Sequence, residues 1–594
     1  MNKFTLSAAF LLIIITGFSQ TANITHGPVV GGVTPTTARI YVRTVSPMPV
    51  VLELADNEQF DNPISYSDST RGLRDNSIII DVSSLQPYTT YYYRWTCNNQ
   101  PDITEGYFKT FPVVGERGHY TWGVLSCQEY GTYNTFESVL QNQPDLMLHN
   151  GDWTYPDYQI PGEERTDPVK LQLAYRKRYE EPKMPPVLRS SVFDYVVDNH
   201  DGIDNLNNDA SVSTTTDTAG VVTNYINYEP TPVGAFQYMM DAYQAYFPAY
   251  PLPAPNVGMY HSYRYGNAEV FFVDVRNCGT GQDSIYRYDP VQNWWYFDPK
   301  PGSTLLGEQQ LQWLKTGLQN STADWKFIVS GVMFNKKMRK ILQYAMVFQN
   351  LIINEGGQQG SGLRLAHAIS SNWAGYPAEQ DGLLDFLKAN NINDVVVLSG
   401  HMHTNVMDDG FNSGLPEINT GPAASTGPEL TWYIDSVMQV LGQGSVFDSL
   451  WNGGGMGVNN TNFKSGWGKV EIFGNDSCVI KTIDEDNVDV ASMTLIHSSK
   501  LTSLPIAMPA PECVVENVFP NPAKNYIDIQ FCKQYKPKNA DRALIIDMNG
   551  KVLRNVFPAT IGNRINLDGI AAGQYVFIYD YGDFIYHTNI VVAK

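Results

Sequence analysis

Five short apolar segments of this 594-residue sequence each end in residues that can bind a metal ion. The residues that follow them are Cys127-Gln128-Glu129, Asn150-Gly151-Asp152, Asp198-Asn199-His200-Asp201, Met333-Phe334-Asn335 and Gly400-His401-Met402-His403. Thiolate, carboxylate, amide and imidazole groups can together hold two cations, and such a pair can clamp a phosphoryl group and activate water. The pattern therefore predicts a site for a pair of metal ions.

A pair of metal ions needs one carboxylate that bridges them, and Asp152 follows a glycine that permits a tight turn. Tyr155 lies three residues further on and, as a phenolate, would favour iron(III). Asn199 offers an amide oxygen. His401 and His403 could serve different ions, because alternate residues of an extended segment point to opposite sides.

These residues also have ordinary structural alternatives. Cys127 could be an inert buried thiol, and Asp152 could be a turn residue. Tyr155 could serve packing alone, and His401 and His403 could form a hydrogen-bond network without a metal.

Several other residues, Asn335 among them, are weaker candidates for binding the substrate or supporting the site. Arg264 or Arg276 could hold a phosphate, although Arg276 and Asp274 also fit an ion pair at the end of a sheet. Trp373 could line the pocket or belong to the core. Asp201 and Asp204 could support the metal ligands or bind calcium.

The segments that carry these residues are short, β-branched and bounded by turn residues, which predicts buried strands at residues 120–126, 146–149, 192–197, 326–332 and 395–398. Ligands bind beyond the carboxyl ends of such strands in α/β sheets. Helices are predicted at residues 135–142, 170–181, 307–319 and 378–390, so the region from 119 to 498 reads as α/β. Residues 204–224 are rich in Asn, Asp, Ser and Thr and predict a loop beside the site.

The two ends of the sequence point to export. Residues 1–20 have the pattern of a signal peptide, and their apolar run is shorter than the roughly 20 residues that a membrane span needs. The net charge of −20 disfavours non-specific binding to nucleic acid or to an anionic membrane. Six cysteines are too few for a disulfide scaffold in a chain of this length. We expect an exported protein with no transmembrane segment and no stable nucleic-acid binding.

Short strands at regular spacing predict a β-sandwich at residues 21–113. A Pro-rich linker follows the α/β region at residues 499–512, and a β-rich region with an Asn549-Gly550 hairpin signal occupies residues 513–594.

The motifs resemble those of the PhoD-like alkaline phosphatase D group of calcineurin-like metallophosphoesterases, which are related to purple acid phosphatases. The similar stretches are residues 25–33, 126–128, 263–264, 271–276, 307–314 and 373–377, together with Gly151-Asp152 and Gly400-His401-Met402-His403. The C-terminal region, which opens with Asn517-Val518-Phe519-Pro520-Asn521-Pro522, resembles the sorting domain of type IX secretion, which directs cargo across the outer membrane and is often removed.

The resemblance implies a multidomain fold. It consists of an N-terminal fibronectin-III-like β-sandwich, a catalytic α/β domain in four layers (a two-sheet sandwich flanked by helices) and a C-terminal β-sandwich sorting domain. It implies a secreted or cell-surface phosphatase that acts on phosphomonoesters, phosphodiesters or both through a metal-bound hydroxide. Small-molecule, lipid or nucleotide phosphate esters are the expected substrates, and the type IX machinery is the expected partner.

The resemblance also implies a metal centre of at least two ions. The first ion, expected to be iron(III), would be bound by Cys127, Asp152, Tyr155 and His403. The second would be bound by Asp152, Asn199 and His401. His200 is the candidate acid for the leaving group or stabiliser of transition-state charge.

The sequence departs from the PhoD pattern at two points. His401 stands where PhoD-type sequences usually have an aspartate. The resemblance implies that the second ion is calcium, whereas the nitrogen ligand of His401 favours zinc or manganese. The fourth strand lacks its usual histidine, and Asn335, Asn372, His367 or a water could replace it. A purple-acid-type enzyme, a phospholipase-D-like phosphodiesterase and a catalytically impaired surface binding or adhesion module therefore remain alternatives.

Overall fold

The computed structural model describes most of the chain from residue 22 onwards. The described residues are 22–129, 131, 133–156, 167–201, 209–216, 218, 222–229, 234–355, 358–424, 434, 446–500, 514–533, 535–547, 552–581 and 584–593. The predicted signal peptide, linker residues 501–512, Asp204, Cys513 and the Asn549-Gly550 turn lie outside the described residues. Among the described residues, no helix is both long enough and apolar enough to cross a membrane.

Seven strands form most of the described N-terminal region, several with alternating buried and more exposed residues. They are β1 Ile24–Gly31, β2 Ala38–Thr44, β3 Pro49–Ala55, β4 Ile64–Ser69, β5 Ser77–Val82, β6 Thr90–Cys97 and β7 Gln100–Lys109. Strands β4-β3-β6-β7 form one sheet, and β1, β2 and β5 belong to another. The Tyr91 hydroxyl accepts a 2.9 Å hydrogen bond from the Gln86 amide, which is the contact expected of a tyrosine corner.

The central region alternates strands and helices. Its strands are β8 His119–Leu125, β9 Leu146–His149, β10 Val192–Tyr195, β11 Asp209–Thr216, β12 Val222–Glu229, β13 His261–Tyr265, β14 Ala268–Val273, β15 Tyr286–Asp289, β16 Trp294–Phe297, β17 Trp325–Ser330, β18 Ile352–Glu355, β19 Gln358–Ser361, β20 Val395–Ser399, β21 Val406–Asp409, β22 Pro416–Asn419, β23 Gly454–Gly455, β24 Gly466–Phe473, β25 Ser477–Asp484 and β26 Asp489–Ile496. Its helices are α1 Thr135–Asn142, α2 Pro168–Tyr179, α3 Met184–Ser190, α4 Ala235–Tyr246, α5 Glu308–Asn320, α6 Met338–Val347, α7 Gly362–Ser370, α8 Pro377–Ala389 and α9 Phe447–Leu450. All five predicted strands and all four predicted helices are present.

Two large sheets face each other in this region. The first has the order β26-β25-β24-β8-β9-β10-β1-β2-β5, and the second has the order β13-β14-β17-β20-β22-β21-β23. Trp122 from the first sheet packs edge-on against Phe327 from the second at 4.9 Å between ring centroids. Strands β8, β9 and β10 are parallel, as are β14, β17 and β20, so the loops after them lie at sheet edges where ligands bind.

The first sheet crosses the predicted boundary between the N-terminal and central regions. Strand β1 pairs in parallel with β10 through Val30 and Val192, and β2 and β5 extend the sheet outwards. One hydrophobic core therefore includes both Ile40 and Leu148. The N-terminal region thus buttresses the sheet that carries the candidate ligands.

The prediction of a loop at residues 204–224 is wrong for the described part of that segment. Strand β11 pairs with β12 in antiparallel register, from Asp209 opposite Glu229 to Thr216 opposite Val222. The Ser and Thr residues of β11 suggested a loop by their polarity, but its Thr and Val side chains are β-branched, which favours a strand.

The C-terminal region is formed by β27 Val515–Phe519, β28 Tyr526–Phe531, β29 Arg542–Asp547, β30 Val552–Val556, β31 Arg564–Asn566, β32 Gly573–Tyr581 and β33 Phe584–Val592, with the short helix α10 Pro558–Ile561. A three-stranded sheet, β27-β28-β31, packs on a four-stranded sheet, β30-β29-β32-β33, around one core. Cys532 in this region is disulfide-bonded, whereas Cys97, Cys127, Cys278 and Cys478 are free.

Candidate metal centre

The loops after β8, β9 and β20 are joined by hydrogen bonds. The Cys127 amide donates to the Gly151 carbonyl at 3.1 Å, and the Gln128 amide donates to the Asp152 carbonyl at 3.2 Å. The Asn150 side chain donates to the Ser399 carbonyl at 2.8 Å. These bonds bring residues that are far apart in the chain to one place.

Two overlapping groups of side chains could each hold a cation. The first consists of Cys127, Asp152 and His403, and the second consists of Asp152, Asp198 and His401. Within each group the candidate ligand atoms all lie within 4.8 Å of one another. Asp152 belongs to both groups, which is the position that a bridging carboxylate must occupy.

The other predicted site residues surround these groups. The Tyr155 hydroxyl lies 3.4 Å from Asp152 Oδ2, and Asn199 Oδ1 lies 3.1 Å from His401 Nδ1. His200 stacks its ring on Tyr155 with centroids 4.3 Å apart, and its backbone amide donates to Asp152 Oδ1 at 2.9 Å. Cys127, Asp152, Tyr155, Asn199, His200, His401 and His403 are therefore brought together.

The backbone at the candidate ligands has an uncommon conformation. Cys127, Asp152, His401 and His403 have φ angles of 55°, 56°, 75° and 47°. This left-handed region is unfavourable for residues with a Cβ, and such strain concentrates at functional sites. Gly151, with φ of 100°, lies between two ligand loops, and a Cβ there would come within 2.3 Å of the Asp198 Cβ. Only glycine allows these loops to approach so closely.

The first group is a cluster of buried side chains that can lose protons, and a cation would stabilise their charged forms. Burial raises the pKa of Cys127 and of Tyr155 well above their usual values, and the neighbouring Asp152 charge adds to both effects. Burial likewise raises the pKa of Asp152. It lowers the pKa of His403 to about 3, so this imidazole is neutral and able to bind a metal. A thiol, a carboxyl, a phenol and a neutral imidazole fit a metal ion that takes up sulfur, oxygen and nitrogen ligands.

The second group contains a residue that the sequence analysis did not select. Asp198 Oδ2 lies 2.9 Å from His401 Nδ1, and its other oxygen pairs with the buried Arg276. Although burial alone would raise the pKa of Asp198, Arg276 and His401 lower it below its usual value. A carboxylate on one nitrogen of a histidine is the usual arrangement behind a metal-bound imidazole. Asp198 directly precedes Asn199 at the end of a predicted strand, which was the available signal.

Asp201 braces the loops of the site. Its Oδ1 accepts a 2.7 Å hydrogen bond from the Thr154 amide, and its Oδ2 accepts a 3.0 Å bond from the Asp198 amide. Burial, followed by the nearby Asp152 charge, raises the pKa of Asp201 to about 7. Its carboxyl oxygens thus connect the loop after β9 with the loop after β10.

The structure places the weaker substrate-binding candidates differently. Arg276 lies at the site, where its Nη2 is 3.3 Å from His401 Nδ1, and it pairs with Asp198. Arg264 lies opposite Glu269 near the start of β14, at the far end of the sheet, and donates to Thr322 Oγ1 at 3.0 Å. Trp373 is fully buried and donates to Ser330 Oγ at 3.2 Å. Arg264 therefore lies away from the two groups, and Trp373 belongs to a hydrophobic core.

The described structure gives the predicted substitutes for the fourth-strand histidine other partners. Asn335 donates to the Leu450 carbonyl at 2.8 Å and accepts from the Lys337 amide at 2.9 Å. Asn372 accepts from the Met333 amide at 3.0 Å. His367 stacks near Tyr286 with ring centroids 6.4 Å apart. Both asparagine side chains brace nearby backbone.

Arg178 is a further residue that supports the site and has no signal in the sequence. It is fully buried on α2, and its guanidinium donates to the carbonyls of Gln128 and Trp153. Those two residues directly follow Cys127 and Asp152. Arg178 therefore fixes the separation of two candidate ligands through their backbones.

We expect Arg178→Met to lower both the affinity of the first metal group and turnover by roughly 10- to 100-fold, the range for residues that orient metal ligands. Metal content after dialysis against a graded metal buffer measures the first effect. Arg176→Met is the matched control, because Arg176 lies on the same helix and pairs with Asp75 at 2.9 Å, away from the site. Equal metal retention in both variants would show that Arg178 does not position the ligands.

The fold and the site together define a two-sheet α/β protein whose strands end at a candidate metal centre. Comparison with family models assigns it further. Residues 122–437, more than half of the chain, match the PhoD-like phosphatase family, and residues 16–112 match its N-terminal domain. The chain belongs to the PhoD-like phosphatase family, as the resemblance in the sequence predicted.

The chain is also similar to a curated relative and to solved structures. The chain is 28% identical over 387 residues to alkaline phosphatase D of Bacillus subtilis (strain 168), which covers 60% of this chain and 58% of that relative's length. A solved structure of PhoD superposes with a TM-score of 0.55 at 19% identity, covering 81% of this chain and 90% of that one. A purple acid phosphatase from yellow lupin (Lupinus luteus) seeds superposes with a TM-score of 0.46 at 11% identity, covering 82% of this chain and 77% of that one.

The C-terminal region has its own match. Residues 517–593 match the secretion system C-terminal sorting domain. This domain marks the chain for export to the cell surface or the medium, which confirms the predicted localisation.

Proposed function

We propose that the chain is an exported, metal-dependent phosphatase that hydrolyses phosphomonoesters, phosphodiesters or both. The observation that carries the proposal is the position of Asp152, whose carboxylate belongs to both groups of candidate ligands. Membership of the PhoD-like phosphatase family supports the same activity. The type IX secretion machinery is the proposed export partner, on the strength of the sorting domain.

Cys127, Asp152, Tyr155 and His403 would hold the first metal ion, and the thiol and phenol favour iron(III). Asp152, Asn199 and His401 would hold the second, which we propose to be calcium, zinc or manganese. When bound, such ions supply Lewis acidity that activates water and offsets charge on the phosphate. Asp198 would orient His401, and Arg276 would hold Asp198 in place.

Two details of the fold, the type of the N-terminal unit and the number of layers in the central region, are also part of this proposal. We propose that residues 21–113 form a fibronectin-III-like unit and that the central region has four layers. Both faces of each large sheet carry buried apolar side chains, which supports the four-layer arrangement.

The test is turnover of p-nitrophenyl phosphate and bis(p-nitrophenyl) phosphate by the purified protein, with and without a chelator and with elemental analysis of the same sample. We expect hydrolysis that the chelator abolishes and that added metal restores. Preference for the bis ester would favour a phosphodiesterase. Metal-loaded protein without turnover of either ester would refute the phosphatase and favour a surface binding module.

The visible spectrum identifies the first metal. Iron(III) bound to Tyr155 should give a charge-transfer band, and Tyr155→Phe should remove it. A colourless, active protein would instead indicate zinc or manganese in the first group.

His200 is placed to act on the leaving group rather than to hold the metal centre together. Its ring is partly exposed beside Tyr155, whereas it is its backbone amide that binds Asp152. His200→Ala keeps that amide, so we expect metal content to be retained and kcat to fall about 10²- to 10³-fold, which is typical of a lost general acid. Steady-state assays measure kcat, and elemental analysis measures the metal content.

The matched control for this prediction is His119→Ala. His119 lies at the start of β8, away from the site, and stacks on Phe473 with centroids 4.4 Å apart. Loss of metal in His200→Ala, or an equal loss of rate in both variants, would contradict the proposed role.

A further inference from the structure

The two central strands of the four-stranded sheet of the C-terminal region, β29 and β32, are buried on both faces. Alternate residues of a strand point to opposite faces. One set packs into the C-terminal region's own core: Ala543, Ile545, Tyr575, Phe577 and Tyr579. The other set lies in a core shared with helices of the central region: Leu544, Ile546, Val576 and Ile578. A sheet that faced solvent on this side would carry polar residues there.

Helix α6, Met338–Val347, covers this second face. Lys340, Gln343 and Tyr344 recur at positions i, i+3 and i+4 and so lie on one side of the helix. The Gln343 side-chain oxygen accepts a 3.1 Å hydrogen bond from the Ile585 amide. Tyr344 is fully buried and donates to Asp580 Oδ2 at 2.7 Å.

Asp580 is the polar centre of this contact. Its side chain is only 4% exposed and pairs with Lys340 of α6 and with Arg542 of β29, the latter at 3.0 Å. A buried carboxylate is tolerated only when it is paired and hydrogen-bonded. The central region supplies Lys340 and Tyr344, whereas the C-terminal region supplies Arg542.

We propose that this face is a docking surface through which the sorting domain binds the central region non-covalently, with α6 as its partner. A buried apolar patch is typical of the core of a stable interface, and the carboxylate paired across it adds charge complementarity. The two parts of the chain then remain associated after the segment that joins them is cut. The sorting domain is therefore held on the central region by this docking surface as well as by the covalent linker.

The experiment uses the full chain with a specific protease site introduced within residues 501–513. After complete cleavage, confirmed on a denaturing gel, size-exclusion chromatography at micromolar concentration shows whether the two parts elute together. A dilution series followed by sedimentation velocity then gives the dissociation constant. We expect co-elution of the cleaved parts.

Two variants test the docking surface from opposite sides. Asp580→Ala removes the carboxylate from the sorting domain, and Lys340→Met removes a cation from α6 without altering the sorting domain. Loss of one partner of a buried charged pair should weaken association by about 30-fold or more. Asp528→Ala is the matched control, because Asp528 pairs with Arg564 at 2.7 Å on the other sheet of the same domain.

The outcomes separate docking from simple instability. Weaker association in both Asp580→Ala and Lys340→Met, with Asp528→Ala unchanged, would support the proposal, because Lys340→Met leaves the sorting domain intact. Immediate separation of the cleaved wild-type parts would overturn it. Equal weakening in Asp528→Ala, or no weakening in Lys340→Met, would also overturn it.

Discussion

Asp152→Asn should remove both metal ions and lower turnover by about 10³-fold or more. Metal ions contribute several kcal/mol of transition-state stabilisation, and each ~1.4 kcal/mol is a factor of ten in rate. Among the described residues, Asp152 is common to both candidate groups, so its substitution is expected to affect both ions. Elemental analysis and turnover of p-nitrophenyl phosphate measure the two losses.

The asparagine substitution separates chemistry from folding. Asp152 Oδ1 accepts a hydrogen bond from the His200 amide at 2.9 Å, and an asparagine oxygen can keep that bond. Oδ2 lies 3.5 Å from Cys127 Sγ and 3.4 Å from the Tyr155 hydroxyl. An amide NH₂ in this position lacks the charge and the lone pairs that a bridging ligand needs. The loop should therefore survive while the bridge is lost.

Thermal unfolding provides a second readout for Asp152→Asn. Added metal should raise the melting temperature of the wild type, because it binds only the folded chain, and should leave that of the variant unchanged. Asp145→Asn is the control, since Asp145 lies just before the start of β9 and pairs with Lys109 at 3.3 Å. Full metal content with an unchanged rate in Asp152→Asn would refute the assignment of this site.

The elements of the site were predictable because their signals are local. Short β-branched segments and flanking turn residues predicted β8, β9, β10, β17 and β20, and the bounds predicted for α1, α2, α5 and α8 were correct to within two residues. The residues at the strand ends were also predictable, since ligands bind beyond the carboxyl ends of such strands. Their types, rather than any long-range pattern, carried the prediction of a metal centre.

The supporting contacts were not predictable because they join segments that are distant in the chain. Asp198 pairs with Arg276, which lies 78 residues further on, and no local pattern reports that pairing. The same is true of Arg178, which donates to the carbonyl of Gln128 fifty residues earlier. The left-handed backbone at Cys127 and His401 runs against the preferences of these residue types and is imposed by the surrounding loops.

The continuity of the first sheet was missed for a related reason. The parallel strands β1 and β10 are joined by a long crossover connection. The sequence of neither strand therefore indicates that the two strands pair. The composition of residues 21–113 predicted strands without showing which neighbour they would pair with. The N-terminal region therefore read as a separate unit, although its strands extend the sheet that ends at Asp152.

Cys127→Ser should remove the first metal ion and leave the second in place, with turnover lowered by about 10²-fold or more. The thiol is fully buried 3.5 Å from Asp152 Oδ2, and burial followed by the Asp152 charge raises its pKa. A metal ion offsets that cost by displacing the thiol proton. A serine hydroxyl ionises far less readily and is a poor ligand for the metals that thiolates bind. Asp152, Asn199 and His401 are unchanged, so the second ion keeps its ligands.

Elemental analysis should therefore show about half of the wild-type metal content for Cys127→Ser, against none for Asp152→Asn, if each group holds one ion. Cys478→Ser is the control, because Cys478 is also a free, fully buried thiol and lies in β25 away from the site. Both substitutions replace a fully buried thiol with a hydroxyl. If Cys127 were an inert buried thiol, the two variants would keep the same metal content and the same rate. A difference confined to Cys127→Ser isolates the contribution of the sulfur as a ligand.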